Sequence, residues 1–288
     1  ALASIAQVHK AVLRVTGEQV AVKVKHPYIQ KQIGVDLLVY RLLTKINEIA
    51  FELPMSSFLG YVLDQMVKES DFVNEQKNAD RLAQRMSKDS DLSLVVVPKT
   101  YPHYTTKQVL ITEWVEGVSL LEKDRLVDEK WDIHQLLGLY MKAFGRQMFE
   151  YGFVHSDPHP GNLIARKRAD GKEELVILDH GLYIDLPSDF RHQYAQLWEY
   201  IFLFNREGIK KVARNWGVNK TDFFATFVQL RPIDVEGTNS GAARENMNSL
   251  LKDFLSDKEK FPKPLIFMSR TMRMMQSLNK DFGSPVNR

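Results

Sequence analysis

Ten residues near the middle of the chain, FVHSDPHPGN (Phe153–Asn162), most constrain what it can fold into. Pro158 and Pro160 flank His159. Proline has a fixed φ and no amide proton, so this stretch cannot continue a helix or sit inside a sheet. It must be a polar loop, and its density of ionisable groups needs a chemical reason. Two chemistries compete. His155, Asp157 and His159 are the residue types of a metal hydrolase. Asp157 and Asn162, five positions apart, instead have the spacing of a phosphoryl-transfer loop. In such a loop the aspartate orients the acceptor hydroxyl and the asparagine holds magnesium.

The flanking sequence bears on that choice. Upstream, IHQLLGLYMKAFGRQMFEYG carries Leu136, Leu139, Tyr140, Phe144 and Met148 at helical spacing, with Gly152 where a left-handed helix terminus is expected. Downstream, LIARKRADGKEELVILDHG predicts a hairpin about Asp170-Gly171. The hairpin would return Asp179, seventeen residues beyond Asn162, to the loop. Magnesium prefers oxygen ligands, few of them from protein when phosphates supply the rest, and Asn162 with Asp179 suits that demand.

The first part of the chain mixes strands and helices. QVHKAVLRV and QVAVKVKH, separated by TGE, predict an antiparallel hairpin. Lys23 in the second strand is either a lysine with its head in solvent or one that pairs with nucleotide phosphates. The latter needs an orienting carboxylate. A helix predicted from about Leu59 to Met86 offers Glu69, Asp71 and Glu75, which do not all share one face. IQKQIGVDLLVYRLLTKINEIAF predicts an amphipathic helix through Ile33, Leu37, Tyr40, Leu43 and Ile46. LVVVP and QVLITEWVEG read as strands, and Ser188 to Arg288 as mostly helix. The expected fold is α+β and two-lobed, protein-kinase-like. Residues 1–117 would form a small β-containing N-lobe, truncated at its phosphate loop, and residues 118–288 a larger helical C-lobe.

Composition excludes several alternatives. With 288 residues, 44% of them hydrophobic, the chain can bury a large core. Its 39 basic and 36 acidic residues are mixed, so no nucleic-acid partner is expected. The lack of cysteine rules out disulfides, thiolate zinc sites and a cysteine nucleophile. No apolar run is long enough to span a bilayer. The opening ALASIAQVHK, without methionine, reads as the inside of a functional loop, so a longer protein with targeting or membrane segments upstream is expected. PLIFMSRTMRMMQSL (Pro264–Leu278) is methionine-rich and basic, which suits either core packing or a membrane-facing surface.

SIAQVHKA, VAVKVKHP, DFVNEQKNA, GFVHSDPHPGN and LDHGLY together resemble the atypical protein-kinase-like family typified by UbiB and the aarF-domain proteins. The resemblance runs from Ala1 to about Ile201 and is closest to the eukaryotic mitochondrial branch, the aarF-domain-containing kinase one type. It implies ATP and Mg2+ as cofactors. An alanine-rich loop would replace the glycine-rich one, placing Ala1, Ala3 and Ser4 of ALASIAQ against the phosphates. Lys23 would be the phosphate-binding lysine and Glu69 its ion-pair partner. Asp157 would be the catalytic aspartate, Asn162 and Asp179 the metal ligands, and Glu113 to Val115 the hinge that holds adenine. His155 would be a scaffold, and Glu75 would meet a lysine of an upstream K-x-G-Q extension.

Three departures from ordinary kinases stand out: His180 replaces the phenylalanine of D-F-G, Ser156 stands where an arginine is usual, and no A-P-E segment follows. The implied function is an ATPase or kinase acting on an unidentified small-molecule, lipid or protein acceptor, in coenzyme Q handling or mitochondrial lipid homeostasis at the inner membrane. The alternative is a nucleotide-gated binding module that holds ATP, scarcely hydrolyses it, and engages a membrane surface or protein partner.

Overall fold

Alternating β-branched residues on either side of Thr16-Gly17-Glu18 close the first hairpin. Strands β1 (Ala6–Val12) and β2 (Gln19–Lys25) pair antiparallel with Val8 opposite Lys23, and Gly17 takes the left-handed φ of 75° that the turn needs. The computed structural model describes residues 5–51, 56–218 and 261–286. Contacts group the chain into two compact units, Ala1–Gly34 with Asp64–Asp185 and Arg270–Arg288, and Val35–Leu63 with Leu186–Ser269.

In the first unit, β4 (Val109–Glu113) joins the hairpin in a three-stranded sheet of order β1-β2-β4. Lys23 therefore lies on the central strand, opposite Leu110 of β4. A second sheet orders β3 (Val95–Val96), β8 (Glu173–Ile177), β7 (Leu163–Lys167) and β5 (Val118–Ser119) as β3-β8-β7-β5. The β7–β8 hairpin turns at Asp170-Gly171 as read from the sequence, with Gly171 at φ 83°. A third ladder pairs β6 (Phe153–His155) with β9 (Tyr183–Asp185), so the first three residues of the stretch expected to be polar loop are a buried strand, and the loop begins at Ser156, before the prolines.

Helix α1 spans Ile29–Phe51, within which Tyr40, Leu43 and Ile46 are about half exposed rather than buried. The helix expected from Leu59 to Met86 is in fact two, α2 (Ser56–Glu69) and α3 (Phe72–Met86). The reason is local. Asp71 is extended, with φ −99° and ψ 108°, and its side chain accepts from the Val73 N–H, so it caps a new helix instead of continuing the old one. After α4 (Lys123–Asp128), α5 (Ile133–Arg146) buries Leu136, Leu137, Tyr140, Ala143 and Phe144. It passes through a π-helical turn at Gln147–Tyr151 and stops at Gly152, φ 60°, so the chain enters β6 directly.

In the second unit, α6 (Ser188–Phe202) and α7 (Arg206–Asn215) close around Phe190, Tyr194, Leu197 and Trp216. Helix α8 (Pro264–Asp281), whose residues from Arg270 onward belong to the first unit, buries Leu265, Met268, Thr271, Met275, Leu278 and Asn279. Met268 and Met275 are thus core, while Ile266, Met272 and Met274 are half-buried. No described helix is long and apolar enough to cross a membrane.

Candidate active site

The site is built around Lys23. Its side chain leaves the central strand over the ring of Phe72, with Nζ 5.2 Å from the ring centroid, and is only 13% exposed. Phe72, Ala6 and Leu110 form the small core beneath it. The ammonium donates to both oxygens of Glu75, at 2.8 and 2.9 Å, and to Asp179 Oδ2 at 3.2 Å. The solvent-exposed reading of Lys23 is thus excluded.

The expected partner, Glu69, is not the one Lys23 takes. The break at Ser70-Asp71 ends α2 at Glu69, and α3 begins with Glu75 buried in its first turn, 3% exposed. Glu69 lies instead beside Gly181, near enough to Asp179 to feel its charge. A Cβ on Gly181 would come within 3.1 Å of Glu69 Cγ and 3.2 Å of Asp179 Oδ1, so the two acids lie on either side of a position where a side chain would crowd both. The signal that would have distinguished the two glutamates was the capping aspartate Asp71 before the apolar pair Phe72-Val73.

Charge in this corner is strongly coupled. Burial would raise Asp179, but Lys23 and the Gly181 N–H, at 2.9 Å, hold its carboxyl down at about 2. Burial opposes the charge on Lys23, but Asp179 and Glu75 together keep its proton affinity above the ordinary lysine value. Glu69 is pushed up by burial and then by the charges of Asp179 and Asp157. Burial, then Asp179, push Glu75 up to about 7 against the pull of Lys23.

Glu75 therefore binds its proton more tightly folded than unfolded. The stability this contributes is complete below the ordinary glutamate value of 4.5 and is lost as the pH rises through about 7. Asp179 acts oppositely, with its contribution lost only as the pH falls through about 2. In metal-free and nucleotide-free buffer, Glu75→Gln should flatten the fall in stability between about pH 5 and pH 8, a slope of at most about 1.4 kcal/mol per pH unit. Urea denaturation across that range measures it, and an unchanged slope would take Glu75 out of the titration.

The FVHSDPHPGN loop is held from several sides. The His155 N–H donates to Gln147 Oε1 at 2.9 Å, from the π-helical turn. Tyr140 donates its hydroxyl to the Pro158 carbonyl at 3.2 Å. His155 is wholly buried, which pushes its pKa down, and its Nδ1 accepts from the Asp157 N–H. His159 Nδ1 accepts from the Gly161 N–H. Both imidazoles thus serve the loop's own backbone, and among the described residues no group of three or more His, Asp or Glu could hold a metal ion by itself. The hydrolase reading therefore finds no ligand set among the described residues.

The Leu178 N–H donates to the Asn162 carbonyl at 2.9 Å, tying the segment that leads into Asp179 to the asparagine. His180 is buried, with Nε2 donating to the Ile177 carbonyl and Nδ1 accepting from the Tyr183 hydroxyl, both at 2.9 Å. Burial lowers its pKa to about 3, so the ring is neutral. Asn78 of α3 donates to the His180 carbonyl at 3.0 Å, which binds the helix carrying Glu75 to the segment carrying Asp179.

Glu113 ends β4 with its carboxylate on Arg166 at 3.1 Å. Val115, two residues on, makes no backbone hydrogen bond among the described residues. Ala1, Ala3 and Ser4 lie outside the described residues.

Magnesium fits this donor set. Asp179 is ionised and 35% exposed, and Asn162, tied to the same segment through its carbonyl, could add a neutral side-chain oxygen. Around them lie the further carboxyls of Glu69, Glu75 and Asp157, whose proton affinities a bound cation would lower. Hard oxygen donors among carboxyls suit a small divalent cation whose remaining ligands are phosphate and water.

A strand lysine paired to a helix carboxylate, an Asp-to-Asn loop and a hairpin returning a third acid define a kinase-like domain. The chain matches the ABC1 atypical kinase-like domain over residues 1–213 and belongs to that family. It is 33% identical over its whole length to the ABC1 family protein lscO of Purpureocillium lilacinum, covering 54% of that protein. It is 32% identical over 98% of its length to AarF domain-containing protein kinase 1 of Mus musculus, covering 55% of that protein. The chain thus spans about half the length of these relatives. Its fold is shared with Rv3197 of Mycobacterium tuberculosis, solved as a complex with erythromycin, at a TM-score of 0.61 and 20% identity over 97% of this chain and 71% of that one.

Proposed function

We propose that the chain is the ATP-binding, magnesium-dependent core of an atypical kinase or ATPase, with residues 1–117 as N-lobe and 118–288 as C-lobe. The observation that carries this reading is the buried ion pair of Lys23 with Glu75 and Asp179, beside a loop that presents Asp157 and Asn162. Phosphoryl transfer needs positioning and charge neutralisation more than covalent catalysis. Lys23, fixed by Glu75, is poised to bind nucleotide phosphate oxygens. Val115, and Glu113 through its backbone, would receive adenine. Ala1, Ala3 and Ser4 would approach the phosphates through their amides. Asn162 and Asp179 would hold magnesium, which when bound neutralises phosphate charge. Asp157 would orient the acceptor hydroxyl, or water in an ATPase, and accept its proton.

The acceptor is proposed to be a small molecule, a lipid or a protein. A role in coenzyme Q or lipid homeostasis at the mitochondrial inner membrane rests on the motif resemblance. Thermal unfolding with Mg2+ and ATP, beside ATP with EDTA and zinc alone, tests the site. A ligand at about 100 times its Kd stabilises by about 2.7 kcal/mol, so a midpoint shift requiring both ATP and Mg2+ is expected. A shift with zinc alone, or none with Mg2+ and ATP, overturns the reading. A full shift without turnover would leave the nucleotide-gated binding module.

A further inference from the structure

Asp157 is paired with a cation from a distant part of the chain. Arg270 of α8 donates from Nη2 to Asp157 Oδ1 at 2.9 Å, across 113 positions in sequence. Its neighbour Thr271 is wholly buried, with its hydroxyl 3.4 Å from the His155 carbonyl. Consecutive residues of one helical turn therefore address the loop at positions two apart.

The helix that delivers Arg270 is anchored beyond it. Met275, Leu278 and Asn279 are buried, and the Asn279 amide bonds both the N–H and the carbonyl of Val286. Lys123 bonds the Asp281 carbonyl and lies over the ring of Phe282. The guanidinium is thus held on a packed helix, while its own side chain stays 48% exposed on the side of the carboxylate. Residue 270 falls outside the 1–213 family match, so the family likeness gives it no part.

Other charged groups lie near this pair. Glu69 and Asp179 are close enough for their charges to be felt together with that of Asp157. Ser156, immediately before it, is buried with its hydroxyl on the Val154 carbonyl and offers no cation. Lys23 is committed to Glu75 and Asp179. The Arg270 guanidinium is therefore the cation that the described residues place on the Asp157 carboxylate. Among the described residues Oδ2 of Asp157 accepts no hydrogen bond, so Arg270 occupies one oxygen and leaves the other free.

We propose that Arg270 is a positioning residue of the active site, holding the Asp157 carboxylate so that Oδ2 faces the acceptor. This rests on the reading of Asp157 as the acceptor-orienting group.

The test compares the unaltered chain with Arg270→Ala and Arg270→Lys, measuring Mg2+-dependent ATP turnover and the thermal shift with Mg2+ and ATP in each. Arg270→Ala should lower kcat by roughly 100-fold, the order expected for a misplaced catalytic group, with KM for ATP and the nucleotide shift unchanged. Arg270→Lys keeps the charge on a half-exposed side chain and should recover part of the rate. A normal nucleotide shift with unchanged or faster turnover in Arg270→Ala overturns the proposal. So does an equal loss in both variants accompanied by a lowered unfolding midpoint, which would mark a purely structural contact. No Mg2+-ATP shift in the unaltered chain would instead overturn the nucleotide-site reading, and Arg270's role with it.

Discussion

Asp179→Asn should reduce magnesium-dependent ATP turnover by about 100- to 1000-fold, the range seen when one preorganised electrostatic group is removed from an active site. The substitution keeps the shape of the side chain and the possibility of accepting from the Gly181 N–H. What it removes is a charge that the surroundings hold ionised at about 2. A neutral amide is a poorer magnesium ligand, and the ion pair with Lys23 at 3.2 Å goes with it. Folding should survive, because Lys23 keeps Glu75, whose charged form is then relieved of a repulsive neighbour. Phosphate release against magnesium concentration, with the unfolding midpoint as control, gives the answer. Unchanged hydrolysis would remove Asp179 from the metal site.

Lys23→Met should be costly twice over. It strips the cation from Glu75, which is 3% exposed, and truncating one partner of such a buried pair typically costs about 3–5 kcal/mol. It should also abolish the Mg2+-ATP thermal shift. The two losses separate in the double variant Lys23→Met with Glu75→Leu. There an apolar pair replaces the ion pair, so urea stability should largely return while nucleotide binding stays absent. Glu69→Gln is the companion measurement, because Glu69 is not bonded to Lys23 and its loss should leave that pair intact. If Glu69→Gln weakened nucleotide binding as much as Glu75→Gln, the assignment of the pair to Glu75 would be wrong.

The parts of the fold legible in the sequence are those set by neighbours in the chain. Thr16-Gly17-Glu18 and Asp170-Gly171 turn because glycine takes the left-handed conformation there, and the strands beside them follow. Gly152 ends the helical stretch before the loop for the same reason. The helix break at Ser70-Asp71 was hidden because apolar spacing on either side suits one long helix, and a cap overrides periodicity. The resemblance had paired Lys23 with Glu69, and the break that starts α3 places Glu75 on Lys23 instead. Arg270 had no local signature, since its partner lies 113 positions away and its helix shows only a core pattern. The burial of Met268 and Met275 in that helix, and the half exposure of Tyr40, Leu43 and Ile46, depend on what packs against each helix, which periodicity does not state.

The neutral His180 has a consequence for control. In a phenylalanine the contacts behind the metal-site aspartate would be apolar and interchangeable. Here the ring is bolted at both nitrogens, to the Ile177 carbonyl and the Tyr183 hydroxyl, and its own carbonyl is held by Asn78. Turning it out would strand buried polar groups at about 1–3 kcal/mol apiece. Asp179 is therefore seated on a fixture rather than a toggle. In this chain activity would be governed by what is admitted to the site, nucleotide or acceptor, while the site itself stays assembled.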